Sequence, residues 1–152
     1  MIGPFPTEAP PRSFVTYLEC ARCGARSDHT KQAHLCDTCG GPLLVRYDIE
    51  RLKSSVPRNV LYGRQHSLWR YRELLPLDDI ANAVSLGEGN TPLYELPVLG
   101  SKLGLHRLMV KDEGLLPTGT FKARGAAVGV SRAGELGAAT IVLPTAGNAG
   151  AA

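Results

Sequence analysis

The sequence predicts an α/β chain in which a small cysteine-bearing β module precedes a parallel sheet with flanking helices. Three observations lead there. Strand, helix and strand patterns follow one another between Arg107 and Leu143. All four cysteines fall within residues 14–47. Between these parts, residues 48–85 mix helix-like pieces with turns.

Taken in order, residues 1–13 carry Pro4, Pro6, Pro10 and Pro11 and read as a loose arm. Phe14–Leu18 and Leu43–Tyr47 flank the cysteines and are expected to pair as short strands. Residues 48–85 read as a connector, with Leu68 to Leu75 its clearest helix-like piece. From residue 86 the texture is α/β. Arg107-Leu108-Met109-Val110 reads as a strand. Phe121 to Leu136 reads as a helix, although Gly125 and Gly129 weaken it. Thr140-Ile141-Val142-Leu143 is a short apolar run suited to a buried strand. Strand, helix and strand in this span suggest a βαβ unit with a parallel sheet.

The chain has 152 residues, room for one ordinary domain or for a small module plus part of a larger one. A hydrophobic fraction of 43% and a charged fraction of 20% fit a soluble globular protein. A net charge of +3 is too mild to argue for nucleic acid or a membrane surface. No apolar run reaches membrane-spanning length. Met1-Ile2-Gly3-Pro4-Phe5-Pro6 lacks a basic region followed by an apolar core. The expectation is a cytoplasmic protein.

Cys20-Ala21-Arg22-Cys23-Gly24 and Cys36-Asp37-Thr38-Cys39-Gly40 repeat the pattern C-x2-C-G. Two intervening residues let both sulfurs of a pair face one point, and the following glycine lets the backbone turn back with positive φ. Four thiolates at this spacing favour tetrahedral Zn2+ held by Cys20, Cys23, Cys36 and Cys39 in a zinc-ribbon-like module. Disulfides and an iron–sulfur centre remain the alternatives. His29 and His34 read as loop residues, because four cysteines complete the sphere. Around the cysteines Arg22, Arg26 and Lys31 face Asp28 and Asp37 with no interleaved aromatic residue, which is not a nucleic-acid footprint. A structural staple for a segment too small for its own core fits better.

Lys122 follows the turn Pro117-Thr118-Gly119 and stands at the apparent start of a small-residue helix. Helix N-termini disfavour an added cation, so the position favours a neutral amine able to form a Schiff base. The alternative is an exposed lysine on the first turn. Arg124, two residues on, points away from Lys122 and reads as structural, for example in an ion pair with a connecting loop. Glu88, Asn90 and Thr91 read as structural more than catalytic.

Three segments line up: Glu88-Gly89-Asn90-Thr91-Pro92-Leu93, Lys111 through Gly125, and Pro144-Thr145-Ala146-Gly147-Asn148-Ala149-Gly150. Their order and spacing resemble the fold-type II pyridoxal-phosphate enzymes, most closely the threonine synthases, over residues 86–152. A cysteine-bearing N-terminal segment also looks like that of some threonine synthases.

The resemblance implies that Lys122 holds pyridoxal 5'-phosphate and shuttles protons. It implies that Asn148 hydrogen-bonds the cofactor's ring hydroxyl and that Thr145, Ala146 and Gly147 receive the substrate carboxylate. The implied reaction converts O-phospho-L-homoserine and water to L-threonine and phosphate. A serine/threonine dehydratase or a cysteate synthase-like enzyme is the alternative within the same chemistry, and a non-catalytic zinc-ribbon interaction fragment the alternative outside it. Leu116 stands where the family often has asparagine, Thr120 where it often has serine and Ala123 where it often has aspartate, which blurs the substrate. The expected chain is an N-terminal fragment, inactive alone, with the phosphate cradle and the pyridine-nitrogen contact outside it. Its partner is an amino-acid substrate, with no nucleic acid and no membrane. The resemblance leaves room for a homodimer in the complete enzyme.

Overall fold

The computed structural model describes residues 13–152. The arm expected over residues 1–13 lies, Ser13 apart, outside the described residues. Strands β1 (Val15–Cys20), β2 (Arg26–Ser27) and β3 (Leu43–Tyr47) form one antiparallel sheet in the order β2-β1-β3. The flanking segments therefore pair as the sequence predicts, with Leu18 opposite Val45 and Cys20 opposite Leu43. In β3 the more exposed Leu44 and Arg46 alternate with Leu43, Val45 and Tyr47, the two-residue period of a half-buried strand. Arg46 reaches across to Glu19 at 3.1 Å, and Arg26 lies 4.4 Å over the Tyr17 ring.

Helix α1 (Ile49–Ser55) starts where the Asp48 carboxylate accepts the Arg51 N–H at 2.9 Å, an ordinary N-cap. The connector then tightens into 3-10 turns over Arg58–Gly63, Leu68–Leu74 and Ile80–Asn82. The helix-like piece at Leu68 to Leu75 is thus not an α-helix. Tyr71, at φ −102 and ψ 25, breaks it into two short turns. Its buried side chains are Trp69 and Glu73. Glu73 is 4% exposed at the side chain and takes both arms of Arg64, at 2.7 and 2.5 Å. A buried carboxylate needs such a partner, because desolvation alone would make its charge costly.

Strand β4 (Leu93–Glu95) pairs antiparallel with β5 (Met109–Lys111), and helix α2 (Pro97–Lys102) lies between them in the chain. This corrects the sequence reading. The strand expected at residues 107–110 is shifted to β5, and its partner precedes it. No parallel pairing occurs among the described residues. Thr140-Ile141-Val142-Leu143 forms no strand, and Val142 is 86% exposed. An apolar run becomes a strand only beside another backbone edge, and no described residue supplies one there. Periodicity reports the apolar face but not the neighbour that covers it.

Helix α3 (Lys122–Glu135) matches the predicted helix within a residue at each end. It buries Ala123, Ala127 and Ser131, spaced four apart on one face. Ser131 Oγ accepts the Val84 N–H at 2.8 Å and donates to the Ala127 carbonyl at 2.6 Å, which seats the connector on the helix. A cavity of about 470 Å3 separates the Leu18–Val45 face of the three-stranded sheet from Val128 and Arg132 of α3 and Leu136 just after it. Helix α4 (Asn148–Ala151) packs against α3.

Candidate functional site

The four cysteines converge. Their sulfurs all lie within 4.8 Å of one another, with Cys20 and Cys39 at 3.5 Å and Cys23 and Cys36 at 3.7 Å. All four are free thiols, far from the ~2.05 Å of a disulfide. A tetrahedron with metal–sulfur bonds of ~2.3 Å has sulfur edges of roughly 3.8 Å, so the spacing fits a tetrahedral ion.

Local backbone explains the convergence. Each pair closes the same turn: Gly24 N–H donates to the Cys20 carbonyl at 3.0 Å and Gly40 N–H to the Cys36 carbonyl at 2.8 Å. Gly24 and Gly40 sit at φ 73 and 66, the left-handed region that glycine enters without strain. Backbone N–H groups then point at sulfur, from Arg22 and Cys23 to Cys20 at 3.4 and 3.5 Å. The Cys23 N–H lowers the Cys20 thiol to about 6, and the Cys39 N–H lowers Cys36. Bonds with the Cys23 and Cys20 sulfurs push Cys39 up to about 12. Sequence reasoning missed Gly41, where a Cβ would lie 2.8 Å from the Cys20 sulfur and 3.3 Å from that of Cys39. His29 and His34 stay outside the cluster.

Lys122 is the first residue of α3, and its backbone N–H donates to Thr120 Oγ1 at 3.4 Å. The side chain is exposed, with Nζ 4.8 Å from the Phe121 ring centroid. Among the described residues no carboxylate lies within ion-pair reach of it. Asn148 opens α4, which packs on α3. Thr145, Ala146 and Gly147 form an exposed turn in which Thr145 Oγ1 accepts the Gly147 N–H at 3.1 Å. Thr118 Oγ1, four residues before Lys122, is buried without a hydrogen-bond partner. An amine without an ion-pair partner among the described residues, on the first turn of α3, and an unsatisfied hydroxyl in the loop before it fit a polar cofactor such as pyridoxal phosphate.

Behind Lys122 lies a node that sequence reasoning saw only in outline. Arg124 forks onto Glu113 at 2.6 and 2.9 Å, and Thr91 Oγ1 donates to the same carboxylate at 2.6 Å. Arg124 also donates to Thr91 Oγ1 at 3.2 Å. The fork from Arg124 chiefly holds Glu113 down at about 2. The expected structural role of Arg124 thus has a named partner; spacing carried no signal for Glu113.

Residues 84–152 match the family described as "Pyridoxal-phosphate dependent enzyme". The chain is 44% identical over 132 residues to the threonine synthase of Methanocaldococcus jannaschii, covering 87% of this chain and 32% of that protein. It is 40% identical over 136 residues to the threonine synthase of Methanosarcina acetivorans, covering 90% and 33%. The threonine synthase of a Synechocystis species is 43% identical over 83 residues. The chain spans about a third of the length of the first two of these relatives. No solved structure matches it at a significant level. Among the described residues no helix is long and apolar enough to cross a membrane. Residues 84–152 are thus similar to the pyridoxal-phosphate dependent enzymes, and the chain over most of its length is similar to threonine synthases.

Proposed function

We propose that this chain contributes the lysine-bearing part of an enzyme that converts O-phospho-L-homoserine and water to L-threonine and phosphate. The observation that carries the reading is Lys122: an exposed amine with no carboxylate partner among the described residues, at the head of α3, in a chain similar to threonine synthases. Residues 14–47 form the metal module, 48–85 the connector and 86–152 the catalytic part, in a cytoplasmic protein without nucleic-acid or membrane partners. Cys20, Cys23, Cys36 and Cys39 hold a structural zinc ion.

Pyridoxal phosphate, when bound, supplies an electron sink that makes the substrate α-carbon acidic. Lys122 Nζ would hold the cofactor and move protons at the substrate carbons. Asn148 would orient the cofactor. Thr145, Ala146 and Gly147 bind the substrate carboxylate. The test uses the full-length gene product with pyridoxal phosphate, borohydride reduction and peptide mapping. Label on Lys122, its loss in Lys122→Ala, and phosphate release from O-phospho-L-homoserine are expected. Label retained in the variant would sink the lysine assignment. Phosphate release absent from a labelled enzyme would sink the substrate.

A further inference from the structure

We propose that Glu113, Arg124 and Thr91 are positioning residues that fix the first turn of α3, and so the place of Lys122 Nζ. The inference rests on the function proposed above. Lys122 and Arg124 are the first and third residues of α3. At ~100° per residue they project to opposite sides of the helix, so Arg124 acts on Lys122 only through the backbone they share.

That backbone is held from three directions. The Glu113–Arg124 fork closes the segment 113–124 into a ring. Inside it, the Leu116 carbonyl accepts the Gly119 N–H at 2.8 Å. Thr120, 7% exposed, accepts the Lys122 N–H on its hydroxyl and the Ala123 N–H on its carbonyl. Ala123, 1% exposed, leaves no room for the turn to roll. Thr91 carries the constraint to the preceding motif. Its hydroxyl joins Glu113 and Arg124, and its carbonyl accepts Lys111 Nζ at 2.9 Å. Asp112 N–H donates to the Pro92 carbonyl at 3.0 Å beside it. The family motifs around Thr91 and Lys122 therefore meet in one hydrogen-bonded node on the side of α3 away from the amine.

An open loop of this length would let the first turn shift, and a shift of about 1 Å at a reacting group costs on the order of a hundredfold in rate. A lysine in place of Arg124 keeps the charge but loses the fork.

The experiment uses the full-length holoenzyme and three variants, Arg124→Lys, Glu113→Gln and Thr91→Val. It follows the rate of borohydride-trapped label at Lys122 together with kcat and KM. Labelling and kcat are expected to fall about ten- to a hundredfold in Arg124→Lys and Glu113→Gln, and less in Thr91→Val, with KM nearly unchanged. The double variant Glu113→Arg/Arg124→Glu is expected to recover part of the labelling rate. Wild-type labelling rates in folded Arg124→Lys and Glu113→Gln overturn the positioning role while leaving the proposed function standing. An unlabelled wild-type enzyme overturns both.

Discussion

Gln32 donates its side-chain amide to the Leu136 carbonyl at 2.9 Å, so the loop between the two cysteine pairs grips the end of α3 opposite Lys122. Arg132 completes the grip. It donates to the His29 carbonyl at 2.5 Å, and its other arm donates to both Asp78, at 3.0 Å, and Glu135. Glu135 in turn accepts the backbone N–H groups of Asp78 and Asp79 at 3.1 and 2.6 Å. The cysteine module, the connector and the helix of Lys122 are thereby tied at one point.

Arg132→Met tests that tie. The change removes the cation that pairs with both Asp78 and Glu135, and the Glu135 and Arg132 side chains are only 11% and 15% exposed. We expect a loss of about 2–4 kcal/mol, in the range for breaking a partly buried charged network. Gln32→Ala removes one neutral bond and should cost about 0.5–1.5 kcal/mol. Denaturant midpoints of both variants against wild type check the ranking. Equal, negligible losses would mean that the tie is incidental.

Metal removal tests the same tie from the other side. We expect one zinc per chain by elemental analysis, and Cys36→Ser should lower it sharply, because three thiolates make an incomplete structural site. Gly41→Ala should weaken zinc retention too, since its Cβ would press on the Cys20 sulfur. After chelation, amide hydrogen exchange should quicken first in residues 136–138, whose N–H groups close the helix end beside the Gln32 contact. Unchanged exchange there would separate the cluster from the helix.

The legible parts of this fold were those fixed locally. Cys20, Cys23, Cys36 and Cys39 announce their convergence by spacing alone, because each C-x2-C-G turn is closed by its own backbone. The helix that begins at Lys122 is legible from the turn before it and the small residues after it. The unread parts depend on neighbours distant in sequence. The pairing of β5 with β4 rather than with Thr140–Leu143 is set by which edge lies adjacent, and no period encodes that. Glu113 finds Arg124 through a folded loop, and Arg132 finds His29 across 103 residues.

Glu113 gives the chain a specific acid sensitivity. Its folded value of about 2 lies below the ordinary 4.5, chiefly because Arg124 hydrogen-bonds the carboxylate. Its contribution to stability is therefore complete above ~4.5 and drains away as pH falls toward 2. Urea midpoints at pH 7 and pH 3 should differ less in Glu113→Gln than in wild type, with the variant weaker at pH 7. An identical pH difference in both proteins would assign the sensitivity to other carboxylates.

Gly89→Ala should be among the most damaging single changes outside the two candidate sites. Gly89 lies at φ 129, where a side chain is strained. A Cβ there would stand 2.6 Å from Leu68 N and 2.7 Å from the Ser67 carbonyl carbon. Both are backbone atoms, so no rotamer relieves the clash. The same contact carries the Leu68 N–H bond to the Glu88 carbonyl at 2.6 Å, which joins the Glu88–Leu93 motif to the connector. Strain and a lost bond together should cost about 2–4 kcal/mol. Trp69, the single tryptophan of the chain and 2% exposed, neighbours Leu68 and reports the change. Its emission should shift to the red in Gly89→Ala before global unfolding. A variant with wild-type emission and melting temperature would show that the two segments can part without consequence.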